Sequence, residues 1–214
     1  MRLYDYAASA NCYKARLLLA QLGIGYDRVP VDIFAGETLT EEYRAKNPAS
    51  ETPVLELDDG SFLPESNAIL LYLAEGTPFM PTRLEERAQV WRWLLYEQAT
   101  LISPIGGLRF RLLTGRLAPG SDDARRRHDA AQSVLGLLDG ELRGRRFLVG
   151  DRYSAADIGV YGYVHVAPQA GLALDRFPAV QTWLDRVAAQ PGYMNDLEPY
   201  PESARPGAGT SIYD

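Results

Sequence analysis

The feature that most constrains the fold is a change in sequence pattern near residue 77. Before it, short apolar stretches alternate between strand-like and helix-like spacing, and after it only long helical stretches remain. Residues 76–81, Gly-Thr-Pro-Phe-Met-Pro, separate the two parts, because glycine and proline are poorly tolerated inside helices and strands. The sequence therefore predicts a domain over 1–77, a linker over 78–82, a second domain over 83–196 and an irregular tail over 197–214.

The first part is predicted to contain a strand, a helix, a strand and a helix, followed by a hairpin and a last helix. In the first helix Ala15, Leu18, Leu19 and Leu22 form one apolar face, and Asp58-Asp59-Gly60 forms the hairpin turn. This βαβαββα order is that of a thioredoxin-like α/β domain. The predicted elements are Arg2–Tyr6, Cys12–Leu22, Tyr26–Val31, Glu41–Lys46, Val54–Leu57, Ser61–Leu63 and Ser66–Leu73.

The second part is predicted to be an all-α helical bundle, with helices near 83–103, 121–143, 154–167 and 178–190. Ser154 and Asp157 have the spacing of a capping box at the start of the third of these helices. Pro104 and the Gly106-Gly107 pair together disfavour a continuous helix by about 5 kcal/mol. We therefore expect a kink or break there, or a plain loop between two helices.

Composition excludes several classes of function. The net charge is −6, the pI is near 5.0 and no dense basic patch is interleaved with aromatic residues, so nucleic acid is not an expected partner. No apolar run reaches the roughly 18 residues of a membrane span, and no signal peptide is apparent. His128 and His165 lack neighbours at metal-ligand spacing, so no metal is expected. The single cysteine, Cys12, fits a reducing cytoplasm.

The residues most suited to chemistry lie in Ser9-Ala10-Asn11, between the first predicted strand and the first predicted helix. Unpaired amides and the dipole of a helix N-terminus favour an anion such as a thiolate, by up to about 2 kcal/mol. A hydroxyl donor such as Ser9 adds about 1.5–3 kcal/mol. Together they would lower the pKa of a bound thiol by about one to two units. Taken alone, Ser9 and Asn11 are more typical of ordinary helix caps.

Cys12 lies one turn into the same helix and allows two interpretations. Its position near the helix N-terminus favours a reactive thiolate, as in one-cysteine redox loops. No second cysteine is present to resolve a mixed disulfide, so we favour a packed, unreactive thiol.

Four segments, in order and at the usual separations, resemble the sequence marks of the soluble, cytosolic-type glutathione transferases, including bacterial ones. The resemblance extends from residue 1 to about residue 195. The segments are Ser9–Arg16, Thr52-Pro53-Val54, Glu65–Leu70 and Ser154–Asp157.

This resemblance implies that glutathione is the co-substrate and that Ser9 or Asn11 contacts its sulfur. It also implies a cis peptide bond between Thr52 and Pro53, with the Val54 backbone pairing with the cysteinyl unit. Glu65 and Ser66 would bind the γ-glutamyl group, because a carboxylate suits its ammonium and a hydroxyl at a helix N-terminus suits its carboxylate.

The resemblance further implies a homodimer that conjugates glutathione to a small hydrophobic electrophile, as in detoxification. A helix break at residues 104–107 would face the cleft between the domains in relatives and open a pocket for this co-substrate. The residues expected to flank that pocket are Tyr13, Tyr96, Ile105, Arg109 and Phe110. Two alternatives stay open: a glutathione-dependent disulfide-bond reductase, and a homologue that binds glutathione or a protein without turnover.

One position departs from the family pattern. Where many relatives carry Gly-Lys or Gly-Arg before the pair that corresponds to Thr52-Pro53, this chain has Ser50-Glu51. A basic side chain that would meet the glycine carboxylate of glutathione is therefore missing, and Glu51 would repel that carboxylate unless it points away. Lys14, Lys46 or an arginine of the helical domain are the candidates to compensate.

Overall fold

The chain divides into two units, and the computed structural model describes all 214 residues. The first unit joins Met1–Leu73 with Met194–Asp214, and the second is Ala74–Tyr193. None of the helices combines the length and the apolarity that crossing a membrane requires.

The first unit is built on a four-stranded mixed sheet with the order β2-β1-β3-β4. The central strand β1 pairs parallel with β2 and antiparallel with β3, and β3 forms a hairpin with β4. This arrangement confirms the predicted thioredoxin-like α/β domain. The elements are β1 (Arg2–Asp5), α1 (Ala10–Leu22), β2 (Asp27–Pro30), α2 (Glu41–Arg44), β3 (Val54–Glu56), β4 (Phe62–Pro64) and α3 (Ser66–Ala74).

Helix α1 begins and ends at residues of types that commonly cap helices. The Ser9 hydroxyl accepts a hydrogen bond from the Cys12 amide at 3.3 Å, which caps the helix N-terminus. At the other end Gly23 adopts the left-handed conformation, with φ of 66°, and donates its amide to Ala20. Almost the whole helix is buried, including Lys14 and Arg16. Its N-terminus is thereby fixed at the end of the central strand.

The segment Met194–Asp214 packs within the first unit, and it includes the tail over 197–214 whose order the sequence left open. The Asp196 carboxylate accepts a hydrogen bond from Nε of Arg16 at 2.9 Å. Farther on, the amide of Thr210 donates to the Phe34 carbonyl at 2.7 Å. Residues 194–214 are therefore held at two separate points by the domain that contains Ser9.

The second unit is entirely helical, as predicted. The capping box is present, and the buried Asp157 carboxylate also accepts hydrogen bonds at 2.9 Å from the Leu148 amide and the Trp183 indole. One side chain thus joins a helix start, a preceding loop and a second helix. The helices are α4 (Leu84–Tyr96), α5 (Gly107–Leu113), α6 (Asp122–Leu142), α7 (Ala155–Val164) and α8 (Pro178–Ala188).

The break predicted at residues 104–107, and the alternative of a loop, are wrong, whereas the kink that was also expected stays a prediction. A ten-residue π-helical segment, Glu97–Gly106, connects α4 directly to α5, and the backbone stays helical on both sides of each junction. In the wider π turn the ring of Pro104 avoids the clash that it would make with the preceding turn of an α-helix. Gly106 lets the helix approach α7 closely, because a Cβ there would lie 2.3 Å from Cε1 of Tyr163.

Gly106→Ala is therefore expected to destabilise the protein by about 1–3 kcal/mol, since the added methyl overpacks the contact with Tyr163. The neighbouring Gly107→Ala is a matched control. Its Cβ would meet the flexible end of Arg111 at 3.0 Å and the Ile102 carbonyl at an ordinary contact distance of 3.9 Å, and alanine has the higher helix propensity. Urea denaturation of both variants checks this, and equal midpoints would contradict the role given to Gly106.

Candidate active site

The Ser9 loop presents a hydroxyl at the N-terminus of α1. Ser9 Oγ accepts the Cys12 amide through one lone pair, and the same hydroxyl can donate its hydrogen either to the Cys12 thiol or to a ligand. The side chain is half-buried. A ligand thiolate placed here would receive a hydrogen bond from Ser9 and the favourable end of the helix dipole.

Asn11 and Ser66 bring two helix N-termini together. Ser66 is the first residue of α3, and its hydroxyl donates to Oδ1 of Asn11 at 3.2 Å. This contact leaves the Asn11 amide nitrogen as a donor on the same side. Two sets of unpaired backbone amides therefore converge, which is an arrangement suited to an anionic ligand.

Glu65 has a strained backbone immediately before Ser66. Its φ is 73°, in the left-handed region that a glutamate seldom occupies and that costs about 1–3 kcal/mol. The side chain is exposed, while the Glu65 carbonyl accepts the Ile69 amide at 2.9 Å and is held by the first turn of α3. Strain of this kind concentrates at binding sites, and here it presents a carboxylate beside a helix N-terminus.

The Thr52–Pro53 peptide bond is cis, as the resemblance implies. It leads into β3, where the fully buried Val54 lies between Tyr4 on one side and Pro64 on the other. The Thr52 hydroxyl interacts with the Cys12 thiol and favours its ionised form. The cis bond therefore sits between the central sheet and the start of α1.

Cys12 is fully buried, and its sulfur accepts a hydrogen bond from the Tyr6 amide at 3.4 Å. Burial, followed by the charge of Asp5, raises the pKa of the thiol to about 12, and the Thr52 and Ser9 hydroxyls only partly oppose this rise. At neutral pH the thiol is protonated and shielded from solvent. The structure thus supports a packed thiol.

Glu51 lies close enough to Glu65 for their charges to interact. Its pKa is raised, first by partial burial and second by the charge of Glu65. Two of the candidate compensating cations have other partners. The buried Lys14 ammonium donates to Asn67 Oδ1 at 3.2 Å, and the Lys46 ammonium donates to Glu42 at 2.9 Å.

The residues expected around the co-substrate fall in both units. Tyr13 belongs to the first unit, is fully buried and donates its hydroxyl to the Met194 carbonyl at 2.8 Å. The other four follow one another along α4, the π-helical segment and α5. Ile105 and Arg109 have almost no exposed surface, whereas Tyr96 and Phe110 are partly exposed.

Two of the buried polar groups in the second unit have no obvious catalytic use. Arg109 donates Nε to Gln169 at 2.7 Å, and burial lowers the pKa of His165 to about 4. The His165 ring is stacked on Tyr161 with centroids 4.7 Å apart.

No group of three or more histidine, cysteine, aspartate or glutamate side chains is arranged to hold a metal ion.

Sequence reasoning did not identify the side chain that supports the segment leading from β1 to Ser9. Arg16 is fully buried, forms an ion pair with Asp5 and donates to the Ala7 carbonyl at 3.3 Å. The available signal was an arginine placed between Ala15 and the Leu17-Leu18-Leu19 run, where a charge is expected only if it is paired.

Comparison with known proteins decides the family. Residues 3–79 match the model of the glutathione S-transferase N-terminal domain, and residues 102–191 match that of the C-terminal domain. A solved glutathione S-transferase from Pseudomonas fluorescens is 39% identical, with a TM-score of 0.89, over 92% of this chain and 98% of that one. This chain belongs to the glutathione S-transferase family.

Two further relatives show how the family varies. A glutathione transferase from Burkholderia graminis, solved with two glutathione molecules per subunit, is 29% identical with a TM-score of 0.79, over 92% of this chain and 86% of that one. The disulfide-bond oxidoreductase YfcG of Escherichia coli is 28% identical over 87% of this chain and 89% of its own. Membership of this glutathione S-transferase family therefore leaves the reaction open.

Proposed function

We propose that this glutathione S-transferase family member binds glutathione in its first unit and conjugates the thiolate to a small hydrophobic electrophile. The observation that carries the proposal is the convergence of Ser9, Asn11 and Ser66 at two helix N-termini, beside the strained Glu65. The glutathione-bound relative from Burkholderia graminis supports the choice of ligand.

The γ-glutamyl end of glutathione matches Glu65 and Ser66. Its carboxylate is taken by the Ser66 hydroxyl and the first amides of α3, which requires Ser66 to turn from Asn11 to the ligand. Its ammonium is taken by the exposed Glu65 carboxylate. The cysteinyl backbone then pairs with Val54, next to the Thr52–Pro53 bond, and its sulfur reaches the Ser9 loop.

Ser9 is the group proposed to stabilise the thiolate. Its hydroxyl can donate to a ligand sulfur in place of the protonated Cys12 thiol, whereas the Asn11 carbonyl oxygen already accepts from Ser66. The Asn11 amide nitrogen is a second donor for the same sulfur. A hydrogen bond from Ser9 worth about 1.5–3 kcal/mol corresponds to about one to two pKa units of the bound thiol.

The electrophile is proposed to bind along the exposed sides of Tyr96 and Phe110. The guanidinium of Arg116 lies 5.2 Å from the Phe110 ring centre, so a polar group is available beside an aromatic surface. Ile105 and Arg109 are buried in the same unit and take the role of supporting that surface.

Replacing the proposed thiolate donor tests the mechanism. Ser9→Ala is expected to lower kcat/KM for an activated aryl halide by about tenfold or more at pH 7, since losing the donor raises the pKa of the bound thiol by about one unit. The rate should recover at higher pH. A pH–rate profile measures both effects.

Ser121→Ala is the matched control, because Ser121 caps α6 by accepting the Ala124 amide at 3.2 Å outside the candidate site. It removes an equivalent helix cap, worth on the order of 1 kcal/mol of stability, and should leave the profile unchanged. If the thiol pKa is the same in Ser9→Ala and wild type, Ser9 has no part in the mechanism.

A second candidate is glutathione-dependent reduction of disulfides, favoured by the name of the Escherichia coli relative and by the Ser-x-Asn loop. Cys12 is buried, so both electrons must come from glutathione. One bound thiolate attacks the disulfide and releases one thiol. A second glutathione attacks the mixed disulfide, which releases the other thiol and forms glutathione disulfide.

Under this candidate Cys12→Ala should retain reduction of a small mixed disulfide within about twofold, since a protonated and shielded thiol contributes no nucleophile. The same assay on Ser9→Ala should show a loss, because both reactions need the glutathione thiolate. A loss of activity in a folded Cys12→Ala protein would instead assign the redox step to Cys12.

We also propose that the protein is a homodimer that uses an apolar stripe on α4, formed by Leu84, Trp91 and Leu95. These residues follow i, i+7, i+11 spacing, and Leu84 and Leu95 are 66% and 69% exposed. An exposed apolar helix face of this kind favours a protein partner, and the family resemblance makes a second copy of this chain the expected partner.

Leu95→Glu is expected to convert the dimer to monomer at micromolar concentration, because it places a charge in the apolar stripe. Leu113→Glu, at an exposed leucine of α5 outside the stripe, should leave the dimer intact. Light scattering after size-exclusion chromatography gives both masses, and a dimer that persists in Leu95→Glu would rule out the α4 stripe.

A further inference from the structure

Every second residue of the 194–198 segment contacts helix α1 or the chain that leads into it. The Met194 carbonyl accepts the hydroxyl of Tyr13, in the first turn of α1, at 2.8 Å. Two residues later the Asp196 carboxylate accepts Nε of Arg16, one turn farther along α1, at 2.9 Å. The segment and the helix belong to the same structural unit. The 194–198 segment is therefore attached along the first part of α1.

The third contact reaches the turn that carries Ser9. The Glu198 amide donates to the Ala7 carbonyl at 3.2 Å, and Nη2 of Arg16 donates to the same oxygen at 3.3 Å. The Ser9 amide donates to the Tyr6 carbonyl at 3.0 Å, which closes the turn around Ala7. The middle of this turn is thus held by one donor from α1 and one from Glu198.

The Ser9 hydroxyl depends on this turn for its position. The first turn of α1 holds Oγ through the Cys12 amide at 3.3 Å, which is longer than the usual range of about 2.7–3.2 Å for such a hydrogen bond. A donor in a functional site must be held to within about 0.5 Å of its productive position. The residues that hold the turn therefore decide how well Ser9 can stabilise a thiolate.

The guanidinium of Arg16 has a separate partner for each of its three nitrogens. Nη1 pairs with Asp5, Nε donates to Asp196 and Nη2 donates to the Ala7 carbonyl. A planar group held at three nitrogens cannot rotate without breaking one of these contacts. Asp196 also lies 3.7 Å from Nη1 of Arg28, which itself pairs with Asp5. Removing the Asp196 carboxylate therefore frees the guanidinium to tilt about Asp5 and to release Ala7.

We propose that the 194–198 segment positions the Ser9 hydroxyl for the glutathione thiolate, with Asp196 as a positioning residue. The inference rests on the proposed function, because it presupposes that Ser9 stabilises the sulfur. Asp196 acts through a hydrogen bond: its carboxylate aligns the guanidinium of Arg16, and the guanidinium holds the Ala7 carbonyl in the turn. The last part of the chain is then a component of the thiolate site formed by the first.

Asp196→Ala tests the proposal on the full-length protein with glutathione bound. The pKa of the bound thiol, measured from the ultraviolet absorbance of the thiolate, is expected to rise by about half a unit to one unit, since Ser9 is no longer held in place. Conjugation of an activated aryl halide at pH 7 should fall by about three- to tenfold and recover at higher pH. S-methylglutathione has no ionisable thiol and should bind within about twofold of its wild-type affinity.

The sign of the shift separates positioning from a direct effect of charge. Deleting a negative charge near the sulfur would lower the pKa of the bound thiol, whereas displacing Ser9 raises it. Asp196→Asn removes the charge but keeps an oxygen that can accept from Arg16, so it should not raise the thiol pKa. A full rise in Asp196→Asn, or none in a folded Asp196→Ala protein, overturns the inference.

Gly209→Ala is the control within the same part of the chain. Its Cβ would lie 2.5 Å from the Phe34 carbonyl oxygen and 2.6 Å from the Ser203 carbonyl oxygen, so it disturbs the end of the chain at contacts that the 194–198 segment does not make. It should leave the thiol pKa unchanged. A rise as large as that of Asp196→Ala would assign the effect to packing of the whole tail and overturn the inference.

A second variant decides the outcome if Asp196→Ala does not fold. Tyr13→Phe removes only the hydroxyl that donates to Met194, and it should raise the thiol pKa in the same direction. No rise in that variant would also overturn the inference, while binding of glutathione and S-methylglutathione to the wild type leaves the proposed function intact. If neither compound binds to the wild type, the proposed function itself fails, and the inference with it.

Discussion

The ion pair between Asp5 and Arg16 supports the strand, loop and helix that position Ser9. Both side chains are fully buried, one at the end of β1 and the other inside α1. Each member has a second ionic partner, Arg28 for Asp5 and Asp196 for Arg16, so the pair belongs to a network of four charged side chains. Because Arg16 also holds the Ala7 carbonyl and Asp196, this one contact fixes the strand, the loop before Ser9 and the tail in a single arrangement.

The elements of both units were predictable because their signals are local. Hydrophobic spacing gave the strands and helices, and the cap residues Ser121 and Ser154 marked helix starts that the structure places at the same residues, whereas α1 begins at Ala10 and was predicted to begin at Cys12. At residues 104–107 local reasoning failed. Summed propensities count the cost of Pro104 and the glycines in an α-helix, but they omit the π register and the close packing of Gly106 on Tyr163.

At the candidate site, the types of residue were predictable, but their contacts and conformations were not. The two strand-to-helix junctions, around Ser9 and Ser66, were apparent from pattern and resemblance. Three facts depend on contacts far apart in sequence: the hydrogen bond from Ser66 to Asn11, the left-handed backbone of Glu65, and the nearness of Glu51 to Glu65. The position of residues 194–214 was equally unpredictable. Asp196 is held by Arg16, 180 residues away, and the segment has no periodic pattern that predicts a helix or a strand.

The position of that tail has a consequence for how the protein is made. The helical unit, residues 74–193, is an insertion in the sequence of the first unit, whose last portion is Met194–Asp214. During synthesis the strands and α1 leave the ribosome first, but Arg16 acquires its Asp196 partner only after the intervening helices have been translated. The helical unit can therefore fold before the thioredoxin-like unit is finished, and the domain that begins the chain is the last to be completed.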